Sequence, residues 1–183
     1  MRSVIVWVNG TFGAGKTTTG TLLAKRDERL RVFDPEGVGY LLRDALADHE
    51  VSDFQHYESW RRLVPVVADE VARFTGQSLV AIQAVLDEGY WRELVDGLAR
   101  LGHEVLHVVV EADPAVMAER IESDQVERSA RRWRLDHLAT YAGARAWMTA
   151  AADLVVDSTH LTPEQVTDRV WALVAERLAT RAG

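Results

Sequence analysis

Apolar residues alternate along this chain between two spacings, and that alternation predicts a fold class. Residues 3–8, Ser-Val-Ile-Val-Trp-Val, form a short run rich in β-branched side chains, the pattern of a strand buried on both faces. Residues 17–25 take helical spacing, with Leu22 and Leu23 toward a core. A second strand is predicted over 30–34, stopped by Pro35, after which Val38, Leu41, Leu42 and Leu46 return to helical spacing. A loop over 49–55 leads to a long helix from about 57 to 74, bent near Pro65 and closed by Gly76. Residues 79–83 read as a buried strand able to extend to Leu86, 90–101 as a helix stopping at Gly102, and 104–110 as a strand. Asp113 caps a helix with Pro114 at its first position, and helical, arginine-rich sequence continues to about Ala151. A fifth strand covers 154–157. The capping box Thr162-Pro163-Glu164-Gln165 then opens a last helix with the stripe Val166, Val170, Leu173, Val174 and Leu178.

Strands alternating with helices predict an α/β fold, a five-stranded, mostly parallel sheet with helices on both faces. Ligands of such sheets sit beyond the carboxyl ends of the strands, so Gly10 and Asp34, at the ends of the first two strands, are expected to share a crevice. The 183 residues, 48% hydrophobic, suit one compact domain over 1–183. A formal net charge of −7 argues against nucleic acid as a partner. The absence of cysteine removes disulfides, thiolate metal sites and cysteine nucleophiles. With no leader-like N-terminus and no apolar stretch long enough to span a bilayer, a soluble cytoplasmic protein is expected, without an integral membrane segment. Nothing in the sequence sets an oligomeric state.

Chemistry enters at Gly10, Thr11, Phe12, Gly13, Ala14, Gly15, Lys16 and Thr17, which fit the phosphate-binding pattern G-x-x-x-x-G-K-[ST] between a predicted strand and a predicted helix. Glycines let successive N–H groups turn around an anion, Lys16 reaches the β- and γ-phosphates, and the Thr17 hydroxyl can ligate Mg²⁺. Thr18 extends the same cofactor-binding set, and the helix N-terminus adds its positive end. Asp34 is the candidate for the acceptor's proton, or for holding Mg²⁺ through water; the bland alternative is a turn carboxylate before proline. Glu36 could share that work or be an exposed loop charge. Asp113 and Asp157 are better explained as a cap and a turn residue. Arg128, Arg131, Arg132 and Arg134 crowd seven positions, and 128, 131 and 132 share a helical face suited to gripping phosphate oxygens. They could form a lid over about 120–140, with Arg128 and Arg132 as cofactor contacts and Arg120 a further candidate, or simply a solvated face. The segment from Asp53 to Arg61 mixes carboxylate, amide, aromatic and guanidinium groups as an acceptor pocket would. The six tryptophans are scattered, and the six histidines show no metal-ligand spacing.

Three stretches together resemble the tunicamycin-resistance protein family of P-loop kinase-like proteins, itself similar in architecture to chloramphenicol phosphotransferases and nucleoside monophosphate kinases. They are Val6 to Thr17, then Asp34-Pro35-Glu36 with Gly39 and Leu42-Arg43, then Asp53-Phe54-Gln55 with Tyr57 and Trp60-Arg61. Similarity continues weakly through Tyr90-Trp91 to about Val110. The resemblance implies a P-loop kinase-like domain with ATP and Mg²⁺ as cofactors, and an acceptor site near Asp34 to which Asp53 and Gln55 contribute. At the end of the third strand the family tends to carry Val-Pro-polar-Thr where this chain has Ala81-Ile82-Gln83-Ala84, and Gln83 joins the acceptor-side candidates. The expected activity is ATP-dependent phosphorylation of a small molecule, a nucleoside-like antibiotic such as tunicamycin. The alternative is nucleotide-dependent capture of a drug or nucleotide-sugar analogue without chemistry. A regulatory GTPase is disfavoured because no Asn-Lys-x-Asp motif is present.

Overall fold

A computed structural model describes residues 3–49, 51–125 and 130–180. Five parallel strands form one sheet: β1 (Val4–Asn9), β2 (Leu30–Phe33), β3 (Ser78–Ile82), β4 (Glu104–Glu111) and β5 (Leu154–Asp157). Their spatial order is β2-β3-β1-β4-β5, so the strand that leads into the glycine loop lies at the centre. Val6 of β1 pairs with Val80 on one side and Leu106 on the other. Every β1 side chain is buried, and the pleat divides them between two cores. Val4, Val6 and Val8 face a core completed by α1 (Lys16–Ala24), α5 (Pro114–Ser123), the C-terminal half of α6 (Arg131–Ala150) and α7 (Pro163–Thr180). Ile5 and Trp7 face the other, completed by α2 (Glu36–Ala45), α3 (Glu58–Thr75) and α4 (Glu88–Arg100). No helix among the described residues is long and apolar enough to cross a membrane.

The departures from the sequence pattern have local causes. Leu22 is only half-buried; the inward face of α1 is Thr19, Gly20 and Leu23. The helix lies so close to β3 that a Cβ on Gly20 would meet the Ile82 side chain at 2.6 Å. Leu41 is 65% exposed because α2 buries only the stripe Val38, Gly39 and Leu42. Phe54 and Gln55, expected within a loop, form with His56 a 3₁₀ turn capped by Asp53. The helical run toward Ala151 is two helices, α5 and α6, rather than one. β3 ends at Ile82 instead of reaching Leu86, because the Asn9 side chain takes over its pairing. Asn9 Oδ1 accepts from the N–H groups of Gly10 (2.8 Å) and Val85 (2.9 Å), and Nδ2 donates to the Val85 carbonyl (3.2 Å). One amide thus ties the start of the glycine loop to the segment after β3.

The Asn9 side chain has a third partner, His107 of β4, whose Nε2 lies 3.2 Å from Nδ2. His107 donates from Nδ1 to the Ala151 carbonyl (3.1 Å), which leaves Nε2 as the acceptor for the Asn9 amide. Its ring lies 4.1 Å from that of Trp91, and burial lowers its pKa from 6.5 despite the nearby Asp153 carboxylate. A group whose folded pKa is depressed contributes stability that is complete above its unfolded pKa and declines as pH falls toward the folded value. Denaturant midpoints should therefore fall as pH is lowered from about 7 to about 5, and a His107→Gln variant should show a shallower decline. Equal slopes for the two proteins would assign the acid sensitivity elsewhere.

The far half of α6 is buried in the core, while the near half reaches its edge through the partly buried Leu138. Glu111 at the end of β4 accepts from Tyr141 Oη (2.9 Å) and from Arg145 Nε (2.7 Å) and Nη2 (2.8 Å). Tyr141, Ala144 and Met148 are the buried residues of the helix. Its first ten residues include none, and Trp133, Arg134 and His137 among them face the glycine loop through Phe12.

Candidate active site

The loop between β1 and α1 has the geometry of an anion cradle. Gly10 and Gly13 adopt φ of 131° and 75°, conformations that L side chains rarely adopt. A Cβ on Gly10 would strike the Val110 carbonyl, and one on Gly13 would lie 2.6 Å from the Met117 carbonyl. Gly15 (φ 100°) occupies the N-cap of α1 with no side-chain cap, and nothing lies within 4 Å of where its Cβ would be. No acidic residue occupies the first turn. The positive end of α1 is therefore presented to open space, as a phosphate site requires. The loop is braced from behind: Ser158 Oγ donates to the Ala14 carbonyl (2.9 Å), while Arg120 Nη1 donates to the Gly13 carbonyl (3.2 Å) and to Ser158 Oγ (3.1 Å). Arg120 is thus a strut of the loop in this structure.

Lys16 Nζ donates to the Thr11 carbonyl (2.8 Å) and lies 5.2 Å from the centre of the Phe12 ring. Burial is the main cause that lowers its pKa from 10.5 to about 8; Arg134 adds to the shift and Glu36 opposes it. An incoming polyphosphate needs the ammonium form and stabilises it, so binding above that pKa takes up a proton. Affinity for a polyphosphate such as inorganic triphosphate should be level up to pH 8 and then fall about tenfold per pH unit, as one linked proton dictates. Calorimetric titration in buffers of differing ionisation enthalpy would check the uptake; a flat profile to about pH 9.5 would remove Lys16 from the phosphate contact.

Two cavities meet at the carboxyl ends of β1, β2 and β3. The first, about 460 Å³, is lined by Thr11, Phe12, Gly13, Gly15, Lys16, Thr17 and Thr18 with Asp34 and Glu36. Asp34 follows β2, and its Oδ1 accepts from the Glu36 N–H (2.9 Å). The expected crevice therefore exists, with a difference: β3 stands between β1 and β2, so Ile82, Gln83 and Ala84 form its floor. The second cavity, about 720 Å³, contains Asp53 and Gln55 together with Tyr40, Arg43, Phe54, Asp87, Tyr90, Trp133 and His137. Asp53 Oδ1 accepts from the Gln55 N–H (2.9 Å), and Gln55 Nε2 donates to the Ala84 carbonyl (2.9 Å). Arg61 secures this wall, donating to Glu93 (2.8 Å) and the Gln55 carbonyl (2.6 Å), its guanidinium 4.1 Å from the centre of the Tyr90 ring. Phe12, Glu36, Gln83, Ala84 and Arg134 line both cavities.

The arginines are arranged differently from the sequence expectation. Arg128 lies outside the described residues. The Arg132 side chain is 90% exposed, pairs with Asp136 and lines neither cavity. Arg134 takes the position instead: its side chain is 11% exposed, bonded to Asp124 (2.7 Å), and sits 5.6 Å from the centre of the Phe12 ring. Residues 132 and 134 are about 200° apart around a helix, so only one of them can face the loop. Trp133 and His137, spaced i and i+4, were also not singled out from the sequence. That spacing on an arginine-bearing helix was the available signal. Among the described residues no group of three or more His, Cys, Asp or Glu side chains could hold a metal ion.

Residues 5–142 match the family model described as AAA domain. Shikimate kinase of Bacillus anthracis is 25% identical over 176 residues, covering 93% of this chain and 98% of that protein. The structure of the Deinococcus radiodurans tunicamycin resistance protein superposes with a TM-score of 0.71 at 29% identity, over 94% of this chain and 96% of that one. That likeness bears out the resemblance read from the three motif stretches. A sugar kinase of Janibacter sp. HTCC2649 shares the fold at 17% identity, with a TM-score of 0.68 over 96% and 95% of the two chains.

Proposed function

The chain belongs to the AAA domain family, and from that premise we propose that it is an ATP-dependent small-molecule phosphotransferase with an alcohol acceptor, acting in the cytoplasm on tunicamycin or another nucleoside-like antibiotic. The observation that carries this reading is the junction of the two cavities, where five residues border both the glycine loop and the larger aromatic chamber. A donor site and an acceptor site that share a wall are what in-line phosphoryl transfer requires. The likeness to the D. radiodurans protein supports the choice of acceptor, and the likeness to shikimate kinase supports a hydroxyl as the attacked group.

In this reading 1–183 is one domain, with a lid over about 120–140. Residues 10–18 hold the triphosphate, Lys16 follows the charge that develops on the transferred group, and the Thr17 hydroxyl would be the protein's ligand to magnesium. Bound Mg-ATP supplies the phosphoryl group. Asp34 accepts the acceptor's proton or holds the metal through water, Asp53 and Gln55 line the acceptor chamber, and Arg134 of the lid balances charge on the donor side.

The test is mass spectrometry of tunicamycin, other nucleoside antibiotics and nucleosides incubated with the protein and Mg-ATP. One phosphoryl group added per turnover to a member of this panel is the expected result. Stoichiometric protection with the ligand's mass unchanged would establish capture without chemistry instead.

A further inference from the structure

We propose that His107, which lines neither cavity, is a positioning residue: acting through Asn9, its imidazole holds the glycine loop and the wall shared by the two cavities in the geometry that receives a triphosphate. The proposal rests on reading the glycine loop as the triphosphate site. The shared wall is the segment after β3, where Gln83 and Ala84 border both cavities and Leu86 and Asp87 the larger one. Beyond Ile82, four successive carbonyls of this segment accept from side chains. Gln83 accepts from Trp7 Nε1 (3.0 Å), Ala84 from Gln55 Nε2 (2.9 Å), Val85 from Asn9 Nδ2 (3.2 Å) and Leu86 from Trp147 Nε1 (3.2 Å). Three of these donors are grouped about His107. Asn9 bonds to it, the Trp147 ring stacks parallel to it at 6.3 Å, and Trp7 is reached through Trp91, which lies 4.1 Å from His107 and edge-on to Trp7 at 5.5 Å.

Asn9 is the link that reaches the loop. Its side chain is wholly buried, and each of its polar groups is committed: Oδ1 to the N–H groups of Gly10 and Val85, one Nδ2 hydrogen to the Val85 carbonyl and the other to His107 Nε2. These bonds share one amide plane. If residue 107 offers no acceptor, a buried amide hydrogen is orphaned, and any rotation that finds it a new partner disturbs both N–H groups held by Oδ1. Gly10 opens the glycine loop with its α-carbon against the Val110 carbonyl, so its N–H has little freedom to shift alone. Val85 sits next to Ala84, the residue on which Gln55 is anchored. One acceptor atom at 107 is therefore coupled to both sides of the crevice, and the Ala151 carbonyl, by holding the proton on Nδ1, keeps Nε2 in that role.

Two substitutions separate the acceptor from the ring. His107→Gln keeps an oxygen able to accept from Asn9 and loses the ring, whereas His107→Phe keeps a ring against Trp91 and loses the acceptor. The experiment is calorimetric titration of inorganic triphosphate at pH 7.5 into the wild type and both variants, with melting curves and the backbone amide NMR signals of Gly10 and Val85 recorded for each. His107→Phe is expected to bind triphosphate about two- to thirtyfold more weakly, the range for coupling carried through a packed network. Its Gly10 and Val85 signals should be displaced and their amide protons should exchange faster. His107→Gln should bind within about twofold of the wild type and keep both signals in place, although it too melts lower for want of the ring. Were the ring needed only for packing, affinity would follow the ring, and His107→Phe would be the milder change. Should His107→Phe not fold, His107→Leu, smaller and equally without an acceptor, takes its place. Wild-type affinity in the variant without an acceptor, an equal loss in His107→Gln, or unmoved Gly10 and Val85 signals each overturns the proposal and leaves the loop as the triphosphate site. Absence of triphosphate binding to the wild type overturns that reading, and the proposal with it.

Discussion

Replacing Lys16 by alanine is expected to lower the rate of phosphoryl transfer by about 10²–10³-fold, the cost of removing one preorganised charge from the transition state. The ammonium is held by the Thr11 carbonyl and the Phe12 ring, both on the glycine loop, so it needs little rearrangement to follow a phosphate. Its lowered pKa records how poorly solvated it is, and a poorly solvated cation interacts more strongly with a developing anion than a hydrated one does. The fold should survive, because Lys16 sits in the first turn of α1 while the helix packs through Thr19, Gly20 and Leu23. An unchanged melting temperature with product formation reduced by that factor is the expected pair of results. Mg-ATP affinity should also weaken, since the lysine meets the phosphates before transfer as well as during it. A variant that transferred phosphate at the wild-type rate would leave the loop as a binding element only.

The first strand and the glycine loop were legible because two unrelated signals coincide there: β-branched residues run without interruption from Val4 to Val6, and glycines with a lysine follow at anion-loop spacing. The last helix was legible in the same way, from its cap and its stripe; Val166, Val170, Val174 and Leu178 are all buried. What the pattern did not contain was the lateral order of strands. Insertion of β3 between β1 and β2 is decided by long-range packing, yet it determines that Gln83 rather than the loop alone floors the crevice. The arginine cluster failed for a related reason. Four arginines within seven positions offer charge to more than one helical face, and the choice is made by Phe12, distant in sequence, and by Asp124 at the end of the preceding helix, which draw in Arg134 and leave Arg132 to solvent. Leu41 repeats the lesson for packing: its spacing suits the stripe of α2, but α3 and the 3₁₀ turn cover only the Val38–Leu42 side.

Asp34→Asn carries the second large expectation, a fall in kcat of about 10²–10⁴-fold, the range for loss of a positioned proton acceptor. The substitution is conservative where the structure needs it to be. Asp34 Oδ1 accepts from the Glu36 N–H at the start of α2, and the asparagine carbonyl oxygen can keep that bond, so α2 and the strand end should remain in place. What is lost is the negative charge and the ability to take a proton. If Asp34 acts on the acceptor hydroxyl, kcat should collapse while the acceptor's KM stays within a few-fold, because the interaction strengthens only as the proton moves. If it serves magnesium through water, the apparent affinity for Mg²⁺ should weaken and added metal should restore part of the rate. Glu36→Gln separates the neighbour: Glu36 borders both cavities and accepts from Tyr40 Oη (3.3 Å), so its loss should fall mainly on acceptor KM. Wild-type kcat in Asp34→Asn beside a collapse in Glu36→Gln would move the proton-accepting role by two residues, within the same crevice.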